Sequence, residues 1–136
     1  MKKLTILWQR LLDDTGRTCP RCGETGGIIE TSIEKLKKSF VEIGIDVQFI
    51  KKSVNFTQFS IDSLQSNRIL INNKTLEEWI GASVGKSKCC DVCGDSDCRT
   101  LTFGHNTFET VPEALIIKAS LLAAAELFNE PLEMAV

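Results

Sequence analysis

The chain has 136 residues, 43% of them apolar and 25% charged, with a formal net charge of −2. That length suits one domain built around one hydrophobic core. The near-neutral charge gives no sign of the polybasic surface of a nucleic-acid or anionic-lipid binder, although it leaves room for a small local patch, and no apolar window is long enough for a membrane-spanning helix.

The opening residues, Met1 to Arg10, begin like a signal peptide, but the apolar run stops at Gln9 and no small-residue cleavage site follows. Cytoplasmic residence is therefore expected. Six cysteines in such a chain call for a reason. In a reducing compartment closely spaced cysteines bind metal or carry out redox chemistry, whereas in a secreted protein three disulfides would be the reading.

Leu4 to Leu12 is apolar on both faces, as in a strand buried inside a sheet. Asp13-Asp14-Thr15-Gly16 breaks the pattern and predicts a loop. Thr18-Cys19-Pro20-Arg21-Cys22-Gly23 follows, the CxxC pair around which the rest is organised. From Ile28 to Ile43, apolar residues at Ile29, Ile33, Leu36, Phe40 and Ile43 fall on one helical stripe, with Gly44 as the terminator. Two starts are open for this helix. Pro20 suits the first helical position with Cys19 as the cap, whereas Gly23, Gly26 and Gly27 argue for a loop knuckle and a start near Gly27.

Ile45 to Ile50 alternates as a second strand, parallel to the first if the helix is a right-handed crossover. Phe56, Phe59 and Leu64 mark a short helix or helical turn. Arg68 to Ile71 reads as a short strand ending in an Asn72-Asn73 turn that tolerates positive φ. Thr75-Leu76-Glu77-Glu78 resembles a capping box opening a helical turn that buries Trp79. Residues 81–98 form a cysteine-rich insertion, expected to be functional or tied down by its thiols. Leu101–Phe103 and Thr107–Val111 predict a hairpin around Gly104-His105-Asn106. Pro112 and Glu113 start a last helix reaching about Phe128. Its apolar residues Leu115, Ile116, Leu121, Leu122 and Leu127 are expected to pack on the sheet, or secondarily to form a homodimer contact. Residues 129–136 read as a tail.

Two chemistries fit the cysteines. In the first, Cys19 caps the helix, where the macrodipole and the flanking Arg17 and Arg21 favour thiolate. Cys19 then attacks, Cys22 resolves, and Cys89, Cys90, Cys93 and Cys98 serve as auxiliary thiols. This reading needs no cofactor and takes a thiol or disulfide substrate. In the second, the two CxxCG stretches are metal knuckles, and Cys19, Cys22, Cys90 and Cys93 hold zinc, or another soft metal or metalloid, as four thiolates. The separation of the pairs by residues 23–89 exceeds the usual ribbon spacing of about 15–20 residues, so the fold would have to bring them together. A third class is a non-enzymatic interaction protein with stapled loops.

The remaining polar and aromatic candidates have plainer readings. His105 reads as a turn residue, and Trp8 and Trp79 as core. Asp91, Asp95 and Asp97 read as solvated charge beside the thiols. No Ser/His/Asp arrangement, phosphate-cradling loop or HExxH motif is present.

The element order resembles that of a thioredoxin-like fold, and Arg68-Ile69-Leu70-Ile71-Asn72-Asn73-Lys74 is similar to the third-strand segment of glutaredoxins. The motifs WQRL, TCPRCG, SNRILIN, LEEWIGA and CCDVCGDSDCRT resemble, over almost the whole chain, a family of small prokaryotic proteins of unknown function grouped with thioredoxin-like proteins. The resemblance implies a single α/β domain with a mixed central sheet flanked by helices and a cysteine-rich loop insertion. It implies no activity. The chain departs from thioredoxins and glutaredoxins at Ser66-Asn67, where those proteins carry a cis-proline before the third strand.

Overall fold

A computed structural model describes residues 1–12, 20–55, 67–88 and 97–129, with the backbone alone described for residues 20–22, 88, 97 and 98. The fold is α/β. Strand β1 (Lys2–Leu11) leads to helix α1 (Pro20–Val41) and strand β2 (Ile45–Val54). After these come β3 (Arg68–Ile71), β4 (Lys74–Thr75) and the short helix α2 (Leu76–Ile80). Strands β5 (Ser83–Lys88), β6 (Asp97–Phe103) and β7 (Asn106–Phe108) precede helix α3 (Glu113–Glu126). The expected loop at Asp13–Gly16, the expected helical turn at Phe56–Leu64 and most of the expected tail lie outside the described residues.

Four strands form a mixed sheet in the order β2-β1-β3-β4, and β5-β6-β7 form a small antiparallel sheet. β1 and β2 pair in parallel from Lys2↔Ile45 to Leu11↔Val54, as a helical crossover requires. β3 runs antiparallel to β1, with Ile6 opposite Ile71. Leu4, Ile6 and Trp8 point to one face of the sheet and are buried in the core with Ile29, Ile33, Leu36 and Phe40 of α1. α3 adds Ile116, Ala119, Ala123 and Ala124 to the same core. α1 and α3 lie side by side, and Lys35 of one meets Glu113 of the other at 2.5 Å. None of the described helices is long and apolar enough to cross a membrane.

Several expectations are corrected. α1 begins at Pro20 and runs through all three glycines, so Cys22 sits in its first turn and there is no helix start near Gly27. Ile43 leaves the buried stripe: it lies beyond the helix in a turn, half exposed, where Gly44 takes φ +78° and reverses the chain. β2 extends to Val54, four residues past its alternating stretch. The polar segment after Gly81 is not a featureless loop, because Ser83–Lys88 is a strand paired with β6. Its polar composition fits a small sheet that buries only one face.

Further on, the hairpin turn is Gly104-His105 alone, since Asn106 already pairs with Phe103. Thr75 caps α2 as expected, accepting from the Glu78 amide at 3.3 Å. The residues it buries are Leu76 and Ile80, however. Trp79 stays half-buried on the rim and donates its indole N–H to the Ile71 carbonyl at 2.8 Å. On α3 the inner face is Leu115, Ile116, Ala119, Ser120, Ala123 and Ala124. Leu121 and Leu122 point outward, exposed by 53% and 41%. A run of apolar residues on consecutive positions cannot all face inward on a helix.

Why a helix tolerates three early glycines is answered by Gly26. A Cβ there would run into the Trp8 indole, with Cζ3 at 2.7 Å, whereas one on Gly27 would meet nothing within 4 Å. Gly26 thus leaves the space that the Trp8 indole fills, and Gly27 carries only the entropic penalty of glycine in a helix. Gly26→Ala is expected to destabilise the fold by about 1–3 kcal/mol through overpacking. Gly27→Ala is expected to stabilise it by about 0.5–1 kcal/mol. Denaturant midpoints of the two variants check this, and equal shifts in the same direction would contradict it.

Candidate functional site

The region of interest lies where β1 ends and α1 begins. Cys22 is the third residue of α1, and Arg21 precedes it in the same turn. Cys19 and Arg17 lie outside the described residues, as do Cys89, Cys90, Cys93, Asp91 and Asp95. Cys98 and Asp97 are on β6, where Cys98 pairs with Ser87 and Asp97 with Lys88. Lys88 and Asp97, the residues that flank 89–96 in sequence, are paired neighbours at one end of the small sheet. His105 is exposed in its turn.

Beneath the second turn of α1 is a buried polar cluster. Thr25 is fully buried, and Asn67 and Trp8 are 6% and 5% exposed. The Trp8 indole Nε1–H donates to Asn67 Oδ1 at 3.2 Å, and Asn67 Nδ2 donates to Thr25 Oγ1 at 3.3 Å. The Val111 amide also donates to Thr25 Oγ1, at 3.3 Å. Because an indole N–H can only donate, it fixes which end of the Asn67 amide faces it. Asn67 sits just before β3 with φ +62°, a conformation that asparagine tolerates better than other residues with a β-carbon. Four segments are thereby tied together: β1, α1, the entry to β3 and the approach to α3.

The small sheet reaches this cluster through its own contacts. Thr110, just past β7, donates to Glu24 of α1 at 3.0 Å. Ser87, opposite Cys98, donates to Glu109 at 3.4 Å. A crevice of about 10 Å³, room for roughly one water, lies between the two sheets and is lined by Asn67, Ile69, Glu77, Arg99 and Val111 among others. Arg99, the neighbour of Cys98 on β6, forms an ion pair with Glu77 of α2 there, and each side chain is only 12% exposed. The position next to Cys98 and the residue bonded to Thr25 thus share one crevice.

Among the described residues no group of three or more His, Cys, Asp or Glu is placed to hold a metal ion. Sequence reading missed Asn67, Thr25, Glu77 and Arg99. One signal was available: a core tryptophan needs an acceptor for its N–H, and Asn67 precedes a strand at a place where asparagine favours positive φ.

Residues 4–120 match the model of a domain of unknown function, DUF2703, and the chain belongs to that family. A relative from Archaeoglobus fulgidus, named only as an uncharacterized protein, is 43% identical over 114 residues, covering 84% of this chain and 82% of its own length. No solved structure matches the chain significantly.

The Glu77–Arg99 pair provides a test of how the two sheets are joined. Glu77→Leu alone leaves a largely buried guanidinium short of its carboxylate and is expected to cost about 3 kcal/mol. Adding Arg99→Met should recover part of that loss. A double variant no more stable than Glu77→Leu alone, by chemical denaturation, would contradict this.

Proposed function

We propose that the chain is a thioredoxin-like thiol–disulfide oxidoreductase working through Cys19 and Cys22 in a reducing, cytoplasmic setting. The observation that carries the reading is the start of α1 at Pro20. Residue 19 then immediately precedes the first helical turn and residue 22 lies within it. The free N–H groups of that turn and the positive end of the macrodipole favour thiolate. Cysteines so placed have pKa values of about 3.5–7.5, against about 8.5 for a free thiol. Further support comes from the sheet order β2-β1-β3-β4 with parallel β1 and β2, which agrees with the thioredoxin-like resemblance.

The chemistry balances as two exchanges. The Cys19 thiolate attacks one sulfur of a substrate disulfide, forming a mixed disulfide and releasing the other sulfur as a thiolate. Cys22, giving up its proton, attacks the Cys19 sulfur and expels the second substrate thiolate. The substrate gains two electrons and the Cys19–Cys22 disulfide remains, to be reduced again by an external dithiol. Arg17 and Arg21 add positive charge beside the pair. Cys89, Cys90, Cys93 and Cys98 act as an auxiliary thiol cluster.

One observation favours a second reading. Asn67, bonded to Thr25 of α1, and Arg99, next to Cys98 in sequence, line one crevice. A four-thiolate zinc site of Cys19, Cys22, Cys90 and Cys93, with Zn–S bonds of about 2.3 Å, would need the two CxxCG stretches to meet, and a link between β6 and the residue that anchors α1 is in keeping with that.

Cys19 is expected to alkylate near neutral pH at least about tenfold faster than a model thiol, as a pKa lower by one unit or more allows. Cys19→Ser should abolish disulfide reductase activity. Alkylation no faster than the model thiol would overturn the redox reading. About one zinc per chain, retained after purification under reducing conditions, would establish the metal reading in its place.

A further inference from the structure

We propose that Asn67 and Thr25 are positioning residues for the thiol pair, a clamp that holds the first turns of α1 in helical form so that the pair stays at a helix terminus. This inference rests on the redox reading above. It starts from a weakness in α1. Residues 20–27 contain three glycines, each about 1 kcal/mol less favourable in a helix than alanine. A helix terminus also frays most readily in its first turn. The macrodipole acts only within that turn, so a frayed start would remove the influence that makes the thiol acidic.

What opposes fraying is tertiary. Thr25, one turn beyond Cys22, is fully buried and accepts two hydrogen bonds, from Asn67 Nδ2 and from the Val111 amide, both at 3.3 Å. Asn67 is held in turn by the Trp8 indole at 3.2 Å, and the same indole fills the space that Gly26 leaves open. The clamp is neutral, so its effect on the thiols passes through geometry alone. The charged side chains around it are Glu24, which accepts from Thr110, Arg10, whose guanidinium lies 5.1 Å from the centre of the Trp8 ring, and Glu77, Arg99 and Glu109, which line the crevice beside Asn67 and Val111.

The test follows alkylation of Cys19 against pH in the full chain, read by peptide mass spectrometry. Thr25→Ala removes the acceptor, Thr25→Ser restores it, and Asn67→Gly keeps the positive φ while deleting the amide. Phe40→Leu, in the core near the other end of α1, is the control for general destabilisation. The expected result is that Thr25→Ala and Asn67→Gly move the alkylation midpoint upward and slow the reaction at pH values below that midpoint, by up to about tenfold for each pKa unit. Thr25→Ser and Phe40→Leu should keep the wild-type profile. Should Asn67→Gly fail to fold, the Thr25 pair decides alone. A fast wild type whose profile is unmoved by Thr25→Ala overturns the clamp and leaves the redox reading standing. A shift produced equally by Phe40→Leu overturns it as well. A wild type no faster than a model thiol overturns both.

Discussion

The contact between the Trp8 indole and Gly26 governs much of this fold, because it sets how closely α1 approaches β1. Tryptophan is the largest side chain a core can hold, and it fits here only where the facing helix presents no Cβ. Its one polar atom must be satisfied once buried, and Asn67 does that. The requirement spreads outward. Asn67 must take a positive φ, Thr25 must be buried to receive its amide, and the Val111 segment must pass close enough to donate to the same hydroxyl. A single large residue near the end of β1 thus organises the entry to β3, the second turn of α1 and the approach to α3.

The same network explains how a second, smaller sheet is attached. β5, β6 and β7 have few buried apolar residues of their own; among their described side chains Leu101 alone belongs to the buried core. Three strands with so little core are marginal alone. The small sheet is attached by Leu101 in the core and by Phe103 and Phe108 packed against it, together with the Glu77–Arg99 ion pair and the bonds from Thr110 and Val111 to α1.

Local chemistry made parts of this fold legible in the sequence. The stripe of Ile29, Ile33, Leu36 and Phe40 has a helical period, and the alternation of Ile45, Val47 and Phe49 has a strand period. Asn72, Asn73 and Gly104 all take the positive φ that their residue types suggest. What stayed hidden depends on contacts between residues far apart in the chain. Gly23, Gly26 and Gly27 read locally as helix breakers, and only the close approach of Trp8 shows why one of them is required. Ser83–Lys88 has little strand character alone and becomes a strand by pairing with β6. Leu121 and Leu122 look like core by composition, but their helical phase turns them outward. At the candidate site the cysteine spacings were visible from the start, whereas the Asn67–Thr25 bond joins residues 42 apart in sequence and left no local mark.

Membership of a family of unknown function leaves the chemistry to be argued from these residues. The central claim is that a thiol next to the first turn of α1 is acidic because the helix terminus beside it is well formed. The most direct measurement is a pH titration of the thiolate ultraviolet absorbance in the fully reduced chain, compared with Cys19→Ser. The account predicts a transition below about pH 7.5 in the wild type that is missing from the variant. Identical curves, with every thiol titrating near about pH 8.5, would contradict it.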